Sequence, residues 1–98
     1  MNKGYWVVAY RSVSDKAAMD AYGKLAKPVI DAFGGSLLVF SGDVVEAREA
    51  GLKQLTVVVE FSSYEQAQKA YASDAYLEAL KALGNGAERD FRIVEGLA

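Results

Sequence analysis

The sequence has no cysteine and no histidine among its 98 residues. The first absence excludes disulfides, thiolate nucleophiles and thiolate metal sites. The second removes the commonest general base, the imidazole metal ligand and the usual haem ligand. No metal and no cofactor are therefore expected. Neither sign of charge dominates, since 11 basic residues stand against 13 acidic ones for a net charge of -2. That balance gives no electrostatic reason to expect nucleic acid or an anionic membrane as a partner. No apolar run approaches the ~20 residues that cross a bilayer. The early run Tyr5–Tyr10 is too short for a signal-peptide core, and the cytoplasm is the expected location.

Apolar residues, in contrast, are plentiful at 52%, the upper edge for a soluble domain. One domain over residues 1–98 is expected, with a core of modest size. Such a chain folds and retains apolar surface to bury against something else.

The elements follow a strand–helix–strand rhythm that occurs twice. Tyr5–Tyr10 reads as a strand with two apolar faces, Tyr5, Val7 and Ala9 on one and Trp6, Val8 and Tyr10 on the other. Ser14 or Asp15 caps a helix reaching about Phe33, with Met19, Tyr22, Ala26, Val29 or Ile30, and Phe33 as its buried stripe. Pro28 should kink it near Lys24, and Gly34-Gly35 should end it. Ser36–Ser41 is a second strand, with a bulge or bend expected at Gly42-Asp43 and a resumption at Val44–Glu46. Leu55–Phe61 is a third strand. Ser62-Ser63-Tyr64-Glu65 matches a capping box, with Glu65 reaching back to the cap. The helix after it should break at Ser73-Asp74 and restart to Leu83, burying Tyr76, Leu77, Leu80 and Leu83. Gly84-Asn85-Gly86 stops it, and Asp90–Glu95 is the last and most polar strand.

A β-α-β-β-α-β order is the ferredoxin-like sandwich, an α+β fold with a four-stranded antiparallel sheet in the order 4-1-3-2. Two helices cover one face of such a sheet. Whichever face of the first strand they cover, the other remains apolar, and a second copy packed sheet against sheet would bury it. A homodimer is the expected partner, with neither nucleic acid nor a membrane.

Several stretches carry a resemblance over nearly the whole chain. They are Gly4-Tyr5-Trp6-Val7, Gly34-Gly35 with the strand from Ser36 to Gly42, Val58 to Ser63, Ser73-Asp74-Ala75-Tyr76, and Arg89 to Gly96. The chain resembles domain-of-unknown-function family 1330, within the dimeric α/β-barrel superfamily. The resemblance implies a barrel-like dimer with a small pocket between helices and sheet in each subunit. It implies no established reaction, although the superfamily includes cofactor-free monooxygenases, haem-degrading enzymes and isomerases. The sequence departs from the family's polar pattern: Phe33 stands where members often carry His, Phe40 where they often carry Arg, and Gly84 where a basic residue is common.

The candidate site residues are aromatic. Tyr5, Tyr10, Tyr22, Phe33 and Phe40 are candidates to bind a small apolar or aromatic molecule, since tyrosine hydroxyls can orient a ligand while the rings pack on it. Without His or Cys, proton chemistry falls to Tyr, Asp, Glu, Lys or Arg, and Tyr71, Tyr76, Glu60 and Arg92 are the weak catalytic candidates. Glu60 could pair with Arg92 or Arg11, with Asp90 beside them. Each residue has a plainer reading as core, dimer interface or structural ion pair. Function is accordingly read as a dimeric pocket protein, with cofactor-independent catalysis, a non-catalytic binding or structural module, and least of all an RNA-binding domain as the alternatives. The RNA reading is weak because Gln54, Thr56 and Val58 stand where a stacking platform needs aromatics.

Overall fold

The computed structural model describes residues 2–98. Strand β1 spans Gly4–Val13, β2 Ser36–Ser41, β3 Thr56–Phe61 and β4 Ala87–Glu95. Helix α1 spans Lys16–Ala32, α2 Tyr64–Ala72 and α3 Asp74–Leu83. The sheet order is β2-β3-β1-β4, and every pairing is antiparallel. This is the ferredoxin-like α+β arrangement expected from the order of elements. The two strands with the most continuous apolar character, β1 and β3, occupy the centre. No described helix is long and apolar enough to cross a membrane.

Register decides which face of β1 meets the helices. Tyr5 lies opposite Glu60 and Trp6 opposite Val59, and cross-strand partners share a face. Glu60 needs water, so its face turns outward and takes Tyr5, Val7, Ala9 and Val58 with it, all half-buried. Trp6, Val8, Tyr10, Val57, Val59 and Phe61 turn toward the helices and form the core. The Trp6 indole N–H donates to the Ala67 carbonyl on α2 at 2.9 Å. A buried indole donor requires such an acceptor.

Short-range chemistry sets the helix ends. Asp15 is the N-cap of α1, its carboxylate accepting from the Ala18 N–H at 3.1 Å. Ser14 instead donates to the Asn85 and Gly86 carbonyls at 3.3 and 3.4 Å. Gly34 takes φ 72°, the left-handed conformation of a helix stop. Helix α1 is continuous with Pro28 inside it. At Ser73 the second helical segment breaks as expected, with the serine hydroxyl donating to the Ala70 carbonyl (2.8 Å) and accepting from the Tyr76 N–H (3.2 Å). One residue thus closes α2 and opens α3.

Three local expectations are corrected. The capping box does not close through Glu65: the cap is Ser63, accepting from the Gln66 N–H at 3.1 Å. The Gln66 side chain then donates to the Phe33 carbonyl at 3.2 Å, tying α2 to the end of α1. The chain bends at Gly42-Asp43 as expected, and a further irregularity in β2 lies between Leu37 and Val39. Val44–Glu46 does not resume the strand, because the Val44 N–H bonds back to the Ser41 hydroxyl (3.2 Å) and turns the chain off the sheet edge. Leu77 is 48% exposed, and Ala79 takes the buried place beside Tyr76 and Leu83. The helices here pack closely enough that a methyl group fills the contact.

Gly23 lies mid-α1, and a Cβ added there would meet nothing within 4 Å. Gly23→Ala should therefore stabilise the protein by about 0.5–1 kcal/mol, through helix propensity and a less flexible unfolded chain. The melting temperature should rise by roughly 4–8 °C per kcal/mol in a chain of this size. A melt that stays put or falls would contradict this account of α1.

Candidate functional site

Helix α1 packs chiefly against α3 rather than against the sheet. The gap left beneath it is a cleft of about 960 Å³. Trp6, Val8 and Tyr10 of β1 and Val57 and Val59 of β3 form its floor. Met19, Tyr22, Ala26 and Ile30 of α1 form the roof, and Leu37 and Phe40 of the edge strand form a lip. The alternation of β1 and β3 and the helical spacing of α1 aim these apolar groups at one another.

At the β4 end the lining becomes polar. Arg89 is half-buried and reaches into the cleft. Its Nη1 donates to the Tyr22 hydroxyl at 3.1 Å and, at 3.5 Å, to that of Tyr10. The guanidinium carbon also sits 4.8 Å from the Tyr22 ring centre, 5.1 Å from Phe91 and 5.5 Å from Tyr10. Aromatic faces at such distances attract a cation. The Tyr22 hydroxyl continues to that of Tyr76 at 2.6 Å. Behind them, Tyr71, Tyr76, Phe91 and Trp6 form one packed aromatic cluster with centroids 5.0–6.5 Å apart.

These surroundings set the protonation states. Burial, reinforced by Tyr22, pushes the Tyr76 hydroxyl far above its ordinary value. Burial also raises Tyr10. Both keep their protons and act as hydrogen-bonding groups, not bases. Burial works against the Arg89 cation, but the neighbouring tyrosines outweigh it and the net direction is upward. Arg89 is charged at every accessible pH.

Of the sequence candidates, Tyr10, Tyr22 and Phe40 line the cleft. Tyr76 joins its polar end through Tyr22, and Tyr71 packs behind it. Phe33 is at the C-cap of α1, outside the lining. Tyr5 lies on the opposite sheet face, where its hydroxyl donates to Glu60 at 3.0 Å. Glu60 also pairs with Lys3 at 3.0 Å, and bonds from Lys3 and then Tyr5 hold its carboxyl below its usual range. The pairing of Glu60 with Arg92 or Arg11, raised as one possibility, is not formed, and Glu60 makes a structural ion pair instead. Strands β3 and β4 lie on opposite sides of β1, with Glu60 opposite Tyr5 and Arg92 opposite Val7. Both arginines bond Asp90 instead, Arg11 at 2.9 Å and Arg92 at 3.1 Å. The bond from Arg92 first, then both positive charges, hold Asp90 below its ordinary value.

Arg89 itself is absent from the candidates that sequence reasoning singled out. The available signal is its phase: Arg89, Phe91 and Ile93 alternate along β4, so a charge stands at the apolar phase of the strand.

No curated protein matches the chain. Among solved structures, the fold is similar to a protein of unknown function from Rhodopseudomonas palustris, with TM-score 0.69 and 16% identity over 99% of this chain and 84% of that one. It is also similar to SnoaB, a cofactor-independent oxygenase from Streptomyces nogalater, with TM-score 0.58 and 13% identity over 100% of this chain and 96% of that one. A nipsnap family protein of unknown function from Agrobacterium tumefaciens is a further likeness, at TM-score 0.53 and 17% identity over 96% and 87% of the two chains. At these identities the likeness is one of fold. The model of the domain of unknown function DUF1330 matches residues 3–97, and the chain belongs to that family.

Proposed function

We propose that the protein binds a small, flat apolar or aromatic molecule in the cleft beneath α1, and that it does so as a homodimer. The observation that carries the first part is the cleft itself. Its volume of about 960 Å³ is in the range of small-molecule sites, and its apolar lining with a few convergent polar groups fits their usual composition. The second part is supported by the uncovered sheet face. Tyr5, Val7, Ala9 and Val58 form its centre, Val39 and Val94 extend it, exposed at 39% and 38%, and the ion pairs of Glu60 and Asp90 stand at its ends. Such a patch is suited to burial against a second copy.

A second reading is cofactor-independent catalysis in the same cleft. The hydroxyl–guanidinium cluster and the fold shared with an oxygenase favour it. Against it stands the lack of a base at the inner end. Asp20 and Asp31 lie at the lip, 62% and 60% exposed, and pair with Lys16 and Lys27. Tyr10 and Tyr76, both raised by burial, keep their protons. Binding is therefore the reading that the geometry supports best.

Trp6, the sole tryptophan, lies in the cleft floor and reports on its occupancy. Flat aromatic compounds should change its fluorescence saturably and raise the melting temperature. Sedimentation at micromolar concentration should give twice the chain mass. A panel without any Trp6 response would refute the pocket, and a clean monomer would refute the dimer. Oxygen uptake in the presence of a bound compound would move the second reading to the front.

A further inference from the structure

Resting on the reading of the cleft as a ligand site, we propose that its natural occupant is an organic anion: a flat apolar molecule whose carboxylate, or other delocalised oxyanion, is held by Arg89. The argument is one of charge compensation. No carboxylate lies within ion-pairing distance of Arg89 among the described residues. Its sequence neighbour Asp90 sits on the other sheet face, engaged by Arg11 and Arg92. Glu88 is exposed on β4, and the lip acids Asp20 and Asp31 pair with lysines. Lys24, also at the lip, has no ion pair among the described residues and adds positive potential.

The guanidinium is also held with donors to spare. An arginine has five N–H bonds in a planar fork. The hydrogen bonds of Arg89 run through Nη1 to tyrosine hydroxyls. Nε and Nη2 have no hydrogen-bond acceptor among the described residues, yet no side-chain nitrogen of those residues is both buried and unpartnered. These donors are therefore open to solvent, on a residue that lines the cleft. The rings of Tyr10, Tyr22 and Phe91 fix the group in place without neutralising it. A preoriented guanidinium of this kind suits bidentate recognition of an oxyanion, and the apolar floor beyond it takes the hydrocarbon part.

Two fluorescent probes with one skeleton separate charge from shape: the anionic 8-anilino-1-naphthalenesulfonate and the neutral N-phenyl-1-naphthylamine. The wild type should bind the anionic probe at least about tenfold more tightly, the value of one charge-assisted contact. Arg89→Gln should bring that probe to within about threefold of the neutral one. Arg89→Lys should keep part of the preference, because a point charge replaces a fork. In the wild type the Arg89 Nε–H resonance should shift with the anionic probe and not with the neutral one, a readout that stands even if a variant folds poorly. Equal affinities in the wild type, or an unmoved Arg89 resonance, would overturn the anion assignment while leaving the cleft as a binding site. If neither probe binds with a change in Trp6 fluorescence, the cleft reading falls and the anion assignment with it.

Discussion

Trp6→Ala should cost about 3–5 kcal/mol of stability, a large part of what a chain of this size possesses. Trp6 is 1% exposed and its ring centre lies 5.0 Å from those of Phe61 and Tyr76 and 5.3 Å from that of Phe91. Truncation removes the largest group of the core at the point where strands β1, β3 and β4 meet α2 and α3. The surrounding rings are held by their own contacts and cannot collapse into the space. The Ala67 carbonyl also loses the indole N–H at 2.9 Å. Trp6→Phe should cost distinctly less, because a ring still fills most of the site while the hydrogen bond, worth about 1 kcal/mol, is lost. Denaturant unfolding followed by circular dichroism checks both, since fluorescence disappears with the residue. A loss below about 2 kcal/mol for the alanine variant would mean that the core relaxes far more than close packing allows.

Gly4→Ala is expected to be the most damaging of the small substitutions. A Cβ at this position would lie 2.5 Å from the Ser63 carbonyl oxygen and 2.5 Å from Tyr64 Cα. Both are backbone atoms at the start of α2, and Ser63 is itself the cap of that helix. No side chain can swing away, so either β1 or the whole helix must shift. Overpacking of this kind costs about 1–3 kcal/mol and occasionally more, and the upper end applies where backbone opposes backbone. The comparison with Gly23→Ala makes the test sharp. The same chemical change should stabilise in the open middle of α1 and destabilise where β1 passes beneath α2. Melting curves of the two variants moving in the same direction would contradict the account.

Much of the architecture is legible in the chain because it rests on local chemistry. The two-faced apolar strands β1 and β3, the glycine stop after α1 and the serine break between α2 and α3 each reflect preferences of neighbouring residues. They place the central and edge strands correctly. Part of the cleft is legible for the same reason: Tyr22 belongs to the apolar stripe of α1, and Tyr10 alternates with Trp6 and Val8. The bend at Gly42-Asp43 is legible because turn chemistry is local, whereas the irregularity at Leu38 depends on pairing with β3. The Glu60 partner was missed for a related reason. The order of elements puts β1 between β3 and β4 but does not place Arg92 relative to Glu60, and the register sets Glu60 beside Tyr5 and Lys3.

The sequence by itself determined the order of elements, their caps and the existence of two apolar faces, because hydrophobic period and turn chemistry act over a few residues. Only the tertiary structure decided which face of β1 carries the core and that Arg89 stands alone among tyrosines. Both depend on pairings between residues far apart in the chain: the charge of Glu60 turns the Tyr5 face outward, and the pairing of β4 with β1 brings Arg89 opposite Tyr10. An arginine at an apolar strand position looks like a surface residue until its neighbours are known. Here they are three aromatic rings and a cleft, with no acid in ion-pairing distance among the described residues.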